Sequence, residues 1–313
     1  MIPSLSPSEN FFLNGLTRLQ SKITTATAQL SSGYRISQPS DAPDQIAPLL
    51  QLQAVLSHNR ATTSALTRVQ ADVAGADQAV SSAIQLLDQA RSIGAQGAST
   101  ASSTATRAAL AEQVISIQQQ MVALANTQSA GRYVFGGDQD ASPPYALNLN
   151  QPLTVPQNGV DRLFTSPLSA TRDIEVSDRA FIRIDQTAQD LFDHRQADDS
   201  LASDNVFAAL DSLRVALQND DESGITAAQT SLHAASSWLN STQGLYGSAL
   251  NRINAATTQI NNENVNLEQQ ISSIRDTDVV QTAMELTSAE TQNQAAMAAE
   301  AKLPRTSLFD FLA

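Results

Sequence analysis

The chain has no cysteine, which excludes disulfides and thiolate metal sites. Glycine and proline are scarce, 12 and 11 in 313 residues, and a chain with so few breakers can run in long uninterrupted helices. Aromatics make up only 4%, so packing falls to Leu, Ile, Val and Ala, and a thick aromatic core is not expected. Basic residues are outnumbered, 18 Lys and Arg against 31 Asp and Glu, for a net charge of −13. That balance speaks against nucleic acid, whose phosphates select clustered cations, and against anionic membrane surfaces. No stretch of about 18 apolar residues occurs, so no membrane insertion is predicted. Residues 1–12 lack the basic, apolar and small-residue succession of a cleaved secretory signal.

What the chain does have is heptads. Between Ser8 and Ser32, Phe12, Leu16, Leu19, Ile23, Ala26 and Leu30 alternate spacings of four and three, one seam along one helix face. Gly33 supplies the stop, and the loop to Pro43 holds Pro39 as well. A second helix is predicted over 44–93 through Leu52, Val55, Asn59, Thr62, Leu66, Val69, Val73, Ala76, Val80, Ala83 and Leu87. It forms a rod of about 75 Å, with Pro48 delaying its start. Gly94 to Ser103 reverses the chain, and a third helix with Leu110, Val114, Ile117, Met121 and Leu124 ends near Gly131. These two read as an antiparallel hairpin.

The composition changes at Tyr133. Proline, the pair Gly136-Gly137 and the β-prone runs Tyr133 to Phe135, Asp173 to Val176 and Phe181 to Ile184 indicate a small β-rich insert. Helix returns near Ser203 with Val206, Leu210, Leu213 and Leu217. After the acidic turn Asp220-Asp221-Glu222, Ile225, Leu232, Leu239, Tyr246, Ile253, Ile260, Leu267 and Ile274 follow one another at intervals of seven. The last helix, Asp278 to Ala301, is poor in large apolar groups. Its register 279, 283, 286, 290, 293, 297 reads Val, Ala, Leu, Glu, Asn, Met, and it is expected to need partners to order it. Pro304 breaks it ahead of an apolar tip, Leu308, Phe309, Phe311 and Leu312, that wants a surface to dock on.

The predicted fold is mainly α: an elongated, coiled-coil-like helical bundle formed by the N- and C-terminal segments, carrying a small β-rich insert domain. The organisation expected is an assembly helix and loop over 1–43 and a long helical hairpin over 44–132. An outward insert over 133–200, returning helices over 201–276, and an assembly helix with its apolar tip over 277–313 complete it. Internal packing accounts for the seams of 44–131 and 203–274; the terminal helices are read as ordering on assembly.

Chemistry-bearing residues do not converge. His58, His194 and His233 lie in separate segments without ligand spacing. Asp220 to Glu222 suit the positive end of a helix dipole better than an acid–base site. Gly136-Gly137 lacks the Lys-Ser/Thr of a phosphate loop, Ser31, Ser32 and Ser40 have no elbow around them, and Trp238 borders the seam at Leu239. No catalytic, cofactor-binding or metal residue is predicted, and the protein reads as no enzyme.

Three stretches together resemble the bacterial flagellin family. Leu30-Ser31-Ser32-Gly33-Tyr34-Arg35-Ile36 with Asp41-Ala42 is similar to the loop that ends the family's first helix, and Ser273 to Val279 with Glu285-Leu286-Thr287 is similar to the start of its C-terminal helix. Gly131-Arg132-Tyr133-Val134-Phe135-Gly136-Gly137 resembles the signature of its members at the hook–filament junction. In that pattern Gly131, Tyr133, Phe135 and Gly137 are the matching positions. Asp190 and Phe192 fit a further motif, in which Ala188 stands where glycine is expected.

The resemblance implies a structural subunit of the flagellum, extracellular and exported through a type III route without a cleaved signal peptide. It implies a homo-oligomer in a helical layer, with flagellin, another hook-associated protein and an export chaperone as partners. Its assembly interface would run through Phe12, Leu16, Leu19, Ile23, Leu30, Arg35, Ile274, Val279, Leu286, Met297, Leu308, Phe309, Phe311 and Leu312. A filament subunit proper is the alternative, and a surface enzyme or adhesin module on a helical stalk, with 133–200 as the active part, is a third.

Overall fold

A computed structural model of the protein describes residues 7–151, 157–164, 167–169, 173–177, 180–183 and 186–302. Among them are seven α-helices: α1 Pro7–Ser32, α2 Pro43–Gly97, α3 Thr104–Ala125, α4 Ala188–Phe192, α5 Val206–Gln218, α6 Glu222–Arg275 and α7 Val279–Lys302. Six short strands form three antiparallel pairs. These are β1 Gln128–Ser129 with β2 Arg132–Tyr133, β3 Tyr145–Leu147 with β4 Val160–Arg162, and β5 Asp173–Ser177 with β6 Ala180–Arg183. The helical bundle with a small β insert is the predicted fold class. The strands β3 and β4 and the helix α4 were not evident from the sequence; Ile184 and the tip from Leu308 lie outside the described residues.

Of the described residues, 7–60 and 262–302 form one compact unit and 61–261 a second. α2 and α6 contribute to both.

In the central unit, 61–261, the heptads form one continuous core. Leu66, Val80, Ala83 and Leu87 of α2, Val114 and Met121 of α3, Leu210 and Leu213 of α5, and Ile225, Leu232 and Leu239 of α6 are fully buried. Fully burying each of the Leu, Ile, Val and Met side chains contributes roughly 1.5–3 kcal/mol before the ordering of the chain is offset. The sparse aromatics are not dispersed. Phe135, Tyr145, Phe164, Phe192 and Phe207 gather in one cluster with ring centroids 5.1–6.0 Å apart, largely edge-on or tilted. A low aromatic count therefore did not mean the absence of an aromatic core.

Local chemistry explains the ends of these elements. Ser103 caps α3, and Asn205 caps α5 by accepting from Ala208 N–H. α3 stops at Ala125 rather than near Gly131, because the Asn126 side chain is taken by both the N–H and the C=O of Tyr145. Gly131 instead closes the β1–β2 hairpin, where Ala130 and Gly131 both have positive φ, 49° and 78°. That is a type I′ turn. Pro48 does not delay α2; the helix begins at Pro43 and carries Pro48 in its second turn.

Charged groups buried in this unit are paired. Asp193, with no exposed surface, accepts from Asn158, Asn205, Tyr145 Oη and Arg195 Nε. Burial, and the Asp193 carboxylate beside it, push the Tyr145 phenol well above its usual value. Arg107 joins Gly97 C=O to Asp220, which has φ 57° at the turn before α6. The acidic turn thus divides its work: Asp220 holds Arg107, and Asp221 takes Gly224 N–H and Ser223 Oγ at the helix start.

In the terminal unit the core is thin. Leu49, Leu56, Leu267 and Ile271 form a four-residue cluster with Leu52 and Ile274 at its edge. Here the inward row of α2 is Leu49, Leu52, Leu56, Asn59, and Val55, expected in the seam, is 42% exposed. Among α6's eight heptad positions, all but Ile274 are buried.

Candidate assembly surface

α1 ends because Gly33 turns left-handed, φ 75°, while its N–H still reaches Gln29 C=O. The loop that follows clasps the end of α6. Arg35 and Ile36 N–H both donate to Arg275 C=O, at 2.7 and 3.2 Å, and Thr277 N–H donates to Gly33 C=O at 3.0 Å. Tyr34 and Asp276 form an antiparallel bridge, and the Arg275 guanidinium lies 4.1 Å from the centroid of the Tyr34 ring. Arg35 also reaches Ile274 C=O and, at 2.7 Å, Gln45 Oε1.

Two carboxylates brace the clasp. Asp41 accepts from the N–H of Gln38 and of Ser37 and from Ser37 Oγ, which hold its carboxyl below the usual range. Asp276 is lowered by the Ser272 hydroxyl and then by Arg275. Asp278 caps α7 through Val280 and Gln281 N–H.

The clasp fixes how α1 and α7 meet. They run antiparallel, α7 starting where α1 stops. The α1 seam falls as its spacing requires: Ala26 is buried and Phe12, Leu16, Leu19, Ile23 and Leu30 are half-buried. On α7 the inward row is Thr282, Leu286, Ala289, Asn293 and Ala296, not 279, 283, 286, 290, 293, 297. Leu286 and Asn293 belong to both rows; Val279 and Met297 do not, and stand 57% and 58% exposed. The expected register ran at 4–3 spacing from Val279, but Val279 and Met297 are exposed and, Leu286 and Asn293 apart, only the smaller Thr282, Ala289 and Ala296 face α1. A groove of about 640 Å³ remains between the helices, walled by Lys22, Ala26, Gln29, Met284, Glu285 and Ala289 among others.

Outward, α7 presents Val279, Val280, Met284 and Met297, the middle two 70% and 62% exposed, and α1 presents Phe11 and Leu13. With Tyr34, Leu50, Val55 and Val265 these make a broad set of exposed large apolar groups on the terminal unit, whereas among the described residues the central unit has Leu163 and Leu245. Five threonines on α1 and α7, at 17, 24, 27, 287 and 291, donate to the carbonyl four residues back.

The structure therefore brings Phe12, Leu16, Leu19, Ile23, Leu30 and Leu286 into one seam, and Arg35 and Ile274 into the clasp. Leu308, Phe309, Phe311 and Leu312 lie outside the described residues. Gly131, Tyr133, Phe135 and Gly137 belong to the central unit and build its fold. Phe135 is fully buried against Phe192, and a Cβ on Gly137, φ 57°, would sit 2.6 Å from Ser169 C=O. Ala188 donates its N–H to Phe135 C=O, and Asp190 closes a capping box with Thr187. Sequence reasoning missed Tyr34 with Arg275, the bracing by Asp41, and Val280 and Met284 as outward groups. Only the last pair had a signal, an i, i+4 spacing on a helix whose other faces are small.

His194 stacks on Trp238, ring centroids 4.6 Å apart, and bonds Asp204 at 2.8 Å. Among the described residues no group of three or more metal-ligating side chains occurs, and no helix is long and apolar enough to cross a membrane.

Both halves of the terminal unit match known sequence. The bacterial flagellin N-terminal helical region matches residues 8–140 and the bacterial flagellin C-terminal helical region residues 225–312. The chain belongs to the bacterial flagellin family. A curated relative, flagellar hook-associated protein 3 of Escherichia coli K12, is 24% identical over 311 residues, 95% of each chain. Among solved structures, this flagellin-family chain is similar to a putative flagellar hook-associated protein from Vibrio parahaemolyticus. The TM-score is 0.62 at 14% identity, covering 75% of this chain and 100% of that one. It is also similar to FlgL of Xanthomonas campestris, with TM-score 0.55 at 15% identity, covering 71% and 99%. At these identities the structural likeness speaks for the fold.

Proposed function

We infer that this flagellin-family chain is a structural, non-catalytic subunit joining hook to filament in the bacterial flagellum. The observation that carries the reading is the concentration of exposed apolar side chains on α1, α7 and the neighbouring turns, on a unit whose own core is thin. Such groups are unfavourable in water and favour burial against further helices. The Gly131 to Gly137 signature and the curated relative, matched end to end, support the junction over the filament proper.

On this reading the subunit forms a homo-oligomeric helical layer through Phe12, Leu16, Leu19, Ile23, Leu30, Arg35, Ile274, Leu286, Val279 and Met297. Leu308, Phe309, Phe311 and Leu312 add to the same interface. It contacts flagellin on one side and another hook-associated protein on the other. An export chaperone holds it before type III export, which needs no cleaved signal peptide, and it resides outside the cell. The working organisation is assembly segments 1–43 and 277–313, helical segments 44–132 and 201–276, and the outward insert 133–200.

A deletion strain tests the reading. Loss of the chain is expected to leave cells that release soluble filament subunits into the medium while hooks persist. Normal filaments in its absence would overturn the reading, and disappearance of the filament subunit itself would favour the filament alternative.

A further inference from the structure

The sequence contains Asn-Gly twice, at Asn14-Gly15 and Asn158-Gly159, and the two steps lie in opposite surroundings. Asn-Gly is the step at which a peptide chain is chemically weakest toward water. The backbone nitrogen of glycine, deprotonated, adds to the side-chain carbonyl carbon of asparagine, unhindered because glycine has no Cβ. The carboxamide nitrogen takes up protons from water and leaves as ammonia. Water then opens the resulting five-membered imide at either carbonyl, giving an ordinary or an isoaspartyl linkage. The net reaction consumes one water, releases one ammonia and needs no oxidant or reductant.

Asn158 is held away from this path. It is 1% exposed, and its Nδ2 donates to Asp193 at 3.0 Å while its Oδ1 accepts from Val160 N–H. The attacking nitrogen is also engaged: Gly159 N–H donates to Gln151 Oε1 at 2.9 Å. Reaction there requires breaking a cluster buried in the central unit.

Asn14 has no such guard. It lies on the exposed side of α1, off the Phe12–Leu16–Leu19 seam, and no hydrogen bond beyond the helix ladder engages the Gly15 nitrogen. A Cβ placed on Gly15 would meet nothing within 4 Å, so nothing packs against this face of the turn, and Phe12 and Leu16 hold its other face only half-buried. Only helical geometry protects it, since ψ near −42° keeps the Gly15 nitrogen along the axis and away from the side chain. Glycine weakens that protection by favouring the unwound chain, in the first half of a helix whose seam is only half-buried.

We propose that Asn14 is a site of spontaneous deamidation whose rate is set by unwinding of α1, and that Asn158 is shielded from the same reaction by the Asp193 cluster. The conversion puts a carboxylate, or an extra backbone methylene, into a helix of the terminal unit. It thereby marks chains by the time their first helix has spent open. The inference stands independently of the hook–filament reading.

Incubating the full-length chain in mildly alkaline buffer at physiological temperature, with tryptic mapping by tandem mass spectrometry, tests it. The peptides are 1–18 and 133–162, and isoaspartate is scored at each site. In the folded chain, conversion at Asn14 is expected to run about ten-fold or more faster than at Asn158. In denaturant the two are expected to converge, and Gly15→Ala is expected to silence position 14 alone. Equal rates in the folded chain, no conversion at Asn14, or a difference that persists unchanged in denaturant would each overturn the proposal.

Discussion

The two units of this chain are made from the same pair of long helices, α2 and α6, and the same heptad grammar, yet they use it differently. In the central unit the seam is closed: Leu66, Leu87, Leu232 and Leu239 have no exposed surface, and an aromatic cluster and a saturated Asp193 network are built against it. In the terminal unit the seam is half-finished, with α1's large residues only half-buried and Val279, Val280 and Met297 of α7 more than half exposed. The contrast separates a part that specifies its own structure from a part that leaves apolar surface for others to cover.

The widest test of that contrast is a pair of truncations. Phe207→Ala empties a fully buried site in the central unit and is expected to cost about 3–5 kcal/mol in urea unfolding. Leu19→Ala in the half-buried seam is expected to cost about 1–2 kcal/mol, since less area is lost. Equal costs would erase the distinction. Next, Asp193→Ala takes the acceptor from the Asn158 and Asn205 amides and from Arg195 Nε, leaving Arg195, 5% exposed, with Asp199 alone, and is expected to lower stability by about 3 kcal/mol by the same measurement. No residue of the terminal unit among those described offers a charge so deeply enclosed.

Smaller effects sharpen the terminal side. Tyr34→Ala removes the surface under Arg275 and is expected to cost about 1 kcal/mol. It should speed hydrogen exchange at the Arg35 and Ile36 amides while leaving those of α3 and α5 unchanged. On the acid side, Asp41 has a lowered pKa, first from the Gln38 amide. Its contribution is therefore complete above the ordinary carboxylate range and is lost as pH falls through the depressed value. Asp41→Asn is expected to make the clasp less pH-dependent below about pH 4, read by melting temperature across an acid series. Smallest of all in the isolated chain is Val280→Asp with Met284→Asp: within about 0.5 kcal/mol on unfolding, because both side chains face water, yet incorporation in a complemented strain should fail. A large loss of stability, or normal incorporation, would show that α7's outer face is something other than an assembly face.

Legibility from sequence followed the same divide. Where a helix is buried on one sustained stripe, as in α6, every position of the seven-residue interval but Ile274 proved to be buried, because no competing apolar row exists. In α7 two weak rows compete, Thr282–Leu286–Ala289 and Val279–Ala283–Leu286, and hydrophobicity alone favours the row that solvent touches. The clasp was visible as motif residues, but the stacking of Arg275 on Tyr34 joins positions 241 apart and leaves no local trace. The β3–β4 pair was hidden for a different reason. Each strand is three residues long, too short for alternation to register, and the pair is anchored by Asn126 and Gln151 rather than by its own pattern.

The five threonines of α1 and α7 that share a carbonyl with the helix ladder have a mechanical consequence. A carbonyl bonded both to an amide and to a hydroxyl tolerates tilting, so such helices bend under small loads. At 17, 24, 27, 287 and 291 they lie in one middle stretch of the antiparallel pair, so load on it would be taken up there as gentle curvature over several turns instead of a break at one hinge. Replacing all five by alanine should stiffen the pair and raise its helicity, trading elasticity for strength.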